Sequence, residues 1–122
     1  FCPEGASSLL LPQLMGHQRA SEALLLGEPF MAEAALEVGL INRVVPPTEC
    51  NTIAQAQAAK LASKPLASLL ASKKLLKSAQ LPAVQQRIGE EGKIFADLLQ
   101  QPAAKEAMSA FMEKRKPNFS GM

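Results

Sequence analysis

Tryptophan and tyrosine are absent, and the only aromatic side chains are five phenylalanines. Any core must therefore be built mainly from Leu, Ala, Val and Met, largely a helix-forming palette. Histidine occurs once, at His17, with no second ligand candidate nearby. It reads as a helix-start residue, and no metal site is expected. The two cysteines, Cys2 and Cys50, are far apart and make no CxxC or zinc spacing. They point to free thiols in a reducing compartment, with a single disulfide as the alternative. The excess of positive over negative charge is small as well. The formal net charge of +2 is too small to argue for nucleic acid as a partner. No apolar run approaches the roughly 20 residues of a membrane span, so no membrane partner is expected. No charged stretch followed by an apolar core opens the chain, and no secretory leader is expected. Repeats and low-complexity segments are missing too.

What is present fits one domain, or part of a larger one. Hydrophobic residues make up 48% of 122, enough for a core. The chain opens on Phe and not Met, directly at its most informative stretch, FCPEGASSLLL. It is expected to be the later part of a longer protein. In this stretch Glu4 sits between Pro3 and Gly5. Pro3 fixes its own φ, and Gly5 permits a sharp turn or a close approach to a ligand. Ser7 and Ser8 are candidate caps for a helix beginning at Leu9–Leu11. The stretch reads as a loop acid at a helix start, where the helix-end potential favours an anion. The competing reading of Glu4 is a solvated loop acid.

Downstream, one helix is expected over 17–26, with Gly27 closing it. A shorter helix over 32–38 stops at Gly39. Leu40–Ile41–Asn42–Arg43–Val44–Val45 is β-rich, ends at Pro46–Pro47, and is the one strand expected. Thr48 opens the next helix, with Asn51 or Thr52 as rival caps, and its alanine-rich body spans 53–63. Pro65 suits the first position of a helix over 66–79. Lys73, Lys74 and Lys77 on it read as a solvated face. A long helix follows Pro82, over 83–100, with Val84, Ile88, Ile94, Phe95, Leu98 and Leu99 facing inward. Glu90, Glu91 and Lys93 are expected to face water or a partner. Gly89 and Gly92 weaken this helix by about 1 kcal/mol each relative to Ala, and they admit close packing or a bend. A last helix runs from Pro102 to about Arg115. The fold class is mostly α with one or two short strands. A single strand makes no sheet, so Val44 and Val45 need partners from outside this chain or from another copy.

The segments PEGASSLLLPQLMG and RASEALLLGEPFMAEAALEVGLINRVVP, with the terminal EAMSAFMEKRKPNF, resemble the crotonase family of enoyl-CoA hydratases and isomerases. The pieces occur in order: a P-E-G loop, a leucine-rich segment, RA-x-E-x-x-x-x-G, and A-x-x-A-x-x-x-G-L-I-N-x-V-V-P. The resemblance covers nearly all 122 residues. It implies the C-terminal part of an α/β fold of repeated ββα turns, a ββα superhelix. Residues 1–47 would be the end of its core, carrying the catalytic loop. Residues 48–122 would form a helical region that supports trimerisation, as a homotrimer or dimer of trimers.

The resemblance also implies chemistry. Acyl-CoA would be the substrate, with no resident cofactor. Backbone N–H groups stabilise negative charge developing on the thioester oxygen. A carboxylate near C2–C4 of the acyl chain moves a proton. Hydratases of the family typically use two glutamates, and Pro3–Glu4 resembles the pair that carries one of them. A peroxisomal type of Δ3,Δ2-enoyl-CoA isomerase uses a single glutamate in a motif like P-E-G. Gly5 after the glutamate tilts the reading toward that isomerase type. So does Leu9 to Met15, LLLPQLM, where hydratases carry glycines. The runner-up is a 2-enoyl-CoA hydratase, and the non-enzymatic alternative is a CoA-binding or assembly module. The F-x-x-K of Phe111 and Lys114 resembles the family's contact to the CoA adenine and phosphate. An i, i+3 spacing on one helical face suits stacking plus a point charge. The competing reading makes Phe111 core and Lys114 a solvated charge. Ser120–Gly121–Met122 is not a peroxisomal S-K-L address, and a bacterial cytoplasm is the expected location. The 122-residue chain alone is expected to be inactive.

Overall fold

Ser7–Met15 forms the first helix (α1), His17–Leu26 the second (α2) and Ala32–Glu37 a short third (α3). Cys50–Ala62 (α4), Leu66–Ser78 (α5), Leu81–Leu99 (α6) and Pro102–Met112 (α7) complete the order. This computed structural model describes residues 2–122. The expected helix over 17–26 is met at both ends, because Gly16 and Gly27 interrupt the helical path there. Gly27 takes φ 66° and donates its N–H to the Ala23 carbonyl, satisfying one of the last open acceptors. α3 closes the same way: Gly39 turns left-handed at φ 75° and the Leu40 N–H reaches back to Ala35 O at 2.9 Å.

The strand expected over 40–45 is not formed, and no strand occurs among the described residues. Leu40, Ile41 and Val44 are exposed. The physical reason is pairing: β-propensity describes how a residue fits a pleated, half-buried surface, and nothing here offers an edge to pair with. The rival caps of α4 are also unused. Glu49 precedes the helix with no side-chain cap, and the Glu49 N–H bonds Pro46 O at 2.9 Å to make the entry turn. Pro65 sits one position earlier than expected, immediately before α5.

α1 packs most closely on α2, and α6 touches α1, α5 and α7. The buried hydrophobic residues are small: Ala6, Ala20, Ala35, Val38 and Ala110. Alanine at these places lets helices approach closely. Larger side chains are left out. Ile88, Ile94, Leu98 and Leu99 of α6, expected inward, are all exposed, while Val84 and Phe95 are half-buried. The stripe exists in sequence, but no partner covers it here. A Cβ built on Gly89 or Gly92 would meet nothing within 4 Å, so neither glycine serves close packing. The accessible surface is 10039 Å², well above the roughly 6,300 Å² that a compact monomer of this length exposes.

Candidate active site

The Pro3–Glu4–Gly5 loop enters α1 through two left-handed residues in succession, Gly5 at φ 65° and Ala6 at φ 62°. Glycine occupies that region freely. Alanine does not, and a left-handed L-residue costs roughly 1–2 kcal/mol. Ala6 is nonetheless 0% exposed, so the turn is fixed by its surroundings. Within the loop, the Ser7 N–H donates to the Glu4 carbonyl at 3.1 Å. The Glu4 side chain is exposed. An open groove of ≈ 330 Å³ lies beside the loop, lined by Cys2, Pro3, Ser8, His17 and Leu24 among others. Glu4 adjoins this groove in sequence through Pro3 and is not itself part of its wall.

α1 is not capped by Ser7 or Ser8, since no side chain of the helix start bonds its own backbone. The cap comes from 85 residues away. The Ala6 N–H donates to Glu91 Oε2 at 2.6 Å. The Ser8 N–H and the Ser8 hydroxyl donate to Glu91 Oε1 at 3.0 and 2.6 Å. Arg87, one turn before Glu91 on α6, donates from Nη1 to Ser8 Oγ at 3.0 Å. The position that the helix end favours for an anion is thus taken by Glu91 and not by Glu4.

Glu91 was expected to face water or a partner; instead it is 4% exposed. Burial pushes its carboxyl up. The hydrogen bonds from the Ser8 hydroxyl, Ser8 N–H and Ala6 N–H, aided by the Arg87 guanidinium, outweigh that and hold it below the usual carboxylate range. A trace of this role was available in the sequence. Val84, Ile88, Glu91, Phe95 and Leu98 follow a 4-3-4-3 spacing, so Glu91 sits inside an apolar stripe.

Phe111 and Lys114 are placed differently from expectation. α7 ends at Met112, short of Arg115. Lys114 lies past the end in a left-handed conformation at φ 54°, its N–H donating to Phe111 O at 3.2 Å. The two residues therefore do not share a helical face. Phe111 is 82% exposed, so it is not core. Among the described residues no hydrogen bond joins Glu4 to Phe111 or Lys114.

The tail behind them is pinned by charge. Arg115 clamps Glu106 through two parallel contacts, Nη1–Oε1 at 2.5 Å and Nη2–Oε2 at 3.1 Å. Its Nε reaches Glu113 at 2.6 Å, and the Asn118 N–H donates to Glu106 Oε1 at 2.8 Å. These contacts, led by the Arg115 hydrogen bond, bring the Glu106 carboxyl down to about 2. Elsewhere the thiols of Cys2 and Cys50 are both free. His17 opens α2 with Nε2 3.4 Å from the Ser21 hydroxyl. The described residues hold no group of three or more His, Cys, Asp or Glu placed for a metal ion. Among the described residues no helix is long and apolar enough to cross a membrane.

Comparison with known proteins matches this arrangement to a single family. A probable enoyl-CoA hydratase of Bacillus subtilis is 35% identical over 121 residues, covering 98% of this chain and 46% of that protein. The 2,3-dehydroadipyl-CoA hydratase of Escherichia coli is 31% identical over 119 residues, covering 98% and 47%. The crystal structure of an enoyl-CoA hydratase/isomerase from Pseudoalteromonas atlantica superposes with a TM-score of 0.90 at 37% identity, over 98% of this chain and 48% of that one. This chain spans about half the length of the relatives it matches. With residues 1–122 all matched by the family Enoyl-CoA hydratase/isomerase, and the helical path reproduced in a solved member, the chain belongs to the enoyl-CoA hydratase/isomerase, or crotonase, family.

Proposed function

We propose that the complete protein carrying this segment moves the double bond of an enoyl-CoA, with Glu4 as the proton carrier. Glu4 takes a proton from C2 of a 3-enoyl thioester. The electron pair shifts through the enolate, whose oxygen is held by backbone N–H groups. The same carboxyl then returns the proton at C4, giving the conjugated 2-enoyl thioester without water. The observation that carries this reading is the loop itself: an exposed acid, beside an open groove, on a turn held in a left-handed conformation by a buried carboxylate.

A second reading, hydration of 2-enoyl-CoA, is favoured by the names of the relatives, several of which are hydratases. A Mycosarcoma maydis relative at 29% identity is named an enoyl-CoA isomerase/hydratase, so both reaction types are named among similar chains. In either reading acyl-CoA is substrate and no resident cofactor or metal takes part. Phe111 and Lys114 contact the CoA end. The segment 48–122 joins copies into a homotrimer or dimer of trimers, which the uncovered apolar faces of α4–α7 support. A cytoplasmic location is part of this reading.

The test is Glu4→Gln in the complete protein. Conversion of 3-enoyl- to 2-enoyl-CoA is expected to be abolished while CoA binding persists. Unchanged turnover removes Glu4 from the mechanism. Parallel measurement of water addition at the conjugated thioester decides between the readings, and dominant hydration favours the second.

A further inference from the structure

We propose that Glu91 is a positioning residue for the Glu4 loop. Its buried carboxylate reaches from α6, locks the Gly5–Ala6 turn and the start of α1, and so fixes the path from which Glu4 addresses the substrate. The proposal rests on the reading of Glu4 as proton carrier.

Three donors converge on Glu91: the Ala6 N–H, the Ser8 N–H and the Ser8 hydroxyl. The hydroxyl also accepts from Arg87, so its orientation is set. Only a group that accepts on both oxygens satisfies all of them, and an ionised carboxylate is the one side chain of this shape that does. Three of the carboxylate's roughly four acceptor positions are occupied in this way, and Glu91, 4% exposed, does not line the groove beside the loop.

Geometry then ties this clamp to Glu4. The clamped Ala6 nitrogen lies two residues from Glu4. Among the described residues, the Ser7 N–H on the Glu4 carbonyl is the one hydrogen bond that holds the Glu4 backbone. Ala6 is buried in a conformation an alanine disfavours, and releasing its N–H frees the turn to relax toward φ below zero. That relaxation re-aims everything before it. A displacement of about 1 Å at a reacting group is worth about 100-fold in rate.

The experiment uses the complete protein with a 3-enoyl-CoA as probe. Glu91→Gln keeps size and removes the all-acceptor character. It is expected to lower kcat by about 10- to 100-fold and to leave KM within about twofold. Amide hydrogen exchange at Ala6 and Ser8 is expected to speed up, with α4 and α5 unaffected. Ser8→Ala, which removes one donor and keeps both backbone amides, should lower kcat about two- to fivefold in the same pattern, and it carries the test alone if Glu91→Gln does not fold. A kcat within twofold of the parent in the folded variants overturns the proposal. So does unchanged exchange at Ala6 and Ser8, or a loss expressed in KM alone. Glu4→Gln is measured beside them. If it is inactive while Glu91→Gln is not, the positioning role fails by itself. If Glu4→Gln retains turnover, the Glu4 reading fails first and takes this proposal with it.

Discussion

Replacing Glu91 by glutamine is expected to destabilise the protein by about 1–4 kcal/mol at pH 7, and the figure follows from counting donors. Glutamine offers one oxygen where two are needed. If its oxygen faces Ser8, its NH2 faces the Ala6 N–H, now 2.6 Å from an acceptor; if the amide is flipped, the Ser8 N–H loses its partner. Either way one backbone N–H is stranded in a site that is 4% exposed, which costs about 1–3 kcal/mol. Removing the negative charge from the start of α1 adds roughly 0.3–1 kcal/mol. The assay is urea denaturation of parent and variant across pH. Glu91 has its carboxyl lowered from 4.5 in the folded protein, so its ionisation supports the fold above pH 4.5. That contribution is lost as pH falls from 4.5 through the folded value. Glutamine does not titrate, so the gap between the two proteins should be full at pH 7 and narrow below pH 4.5. Groups common to both cancel in the difference. A gap under about 0.5 kcal/mol at pH 7, or one that stays constant into acid, refutes the reasoning.

Two further outcomes are expected. Phe111→Ala and Lys114→Ala should each raise KM for acyl-CoA by about tenfold with little change in stability, since both side chains lie outside the core; unchanged KM in both variants removes them from the CoA site. The tail clamp should release in acid. With the Glu106 carboxyl lowered from 4.5 to about 2, its stabilising contribution is present above pH 4.5 and disappears as pH falls toward 2. The protection factor of the Asn118 amide, the NMR exchange rate taken against the intrinsic rate at each pH, should fall over that window, and flat protection down to pH 2 counts against the clamp.

The helices were legible because their limits are local. Gly16, Gly27 and Gly39 interrupt the helical path by their own backbone freedom, and each takes a positive φ where the helices α1, α2 and α3 end. Pro82 and Pro102 sit in the first turns of α6 and α7 for a similarly local reason. What failed depends on distant partners. Leu40–Val45 has strand composition, yet a strand is a property of a pair. The inward stripe of α6 was read correctly as a stripe and wrongly as covered. Glu91 is hidden in the sequence because its charged neighbours Glu90 and Lys93 point to a solvated face, whereas the apolar positions that flank it on the helix lie three and four residues away. Nothing in positions 4–8 announces that their missing cap arrives from α6. The candidate site itself was legible only as far as one acid on a loop beside a helix start.

The Glu91 contact also bears on how the chain divides. Residues 1–47 and 48–122 read in sequence as a catalytic end and an assembly end. Three hydrogen bonds nevertheless run from Ala6 and Ser8 to Glu91, and a fourth from Arg87 to Ser8. They cross that boundary at its most sensitive place. α6 also touches α5 and α7, whose apolar faces stand uncovered. Any body that docks on those faces pushes on the helix that holds the loop. A buried carboxylate with three donors tolerates little displacement, because each hydrogen bond weakens steeply outside its angular range. The Glu4 loop and the helical region therefore share the contact that Glu91 makes with Ala6 and Ser8. Whatever docks on those faces would meet the loop through α6, the helix that touches α1 as well as α5 and α7.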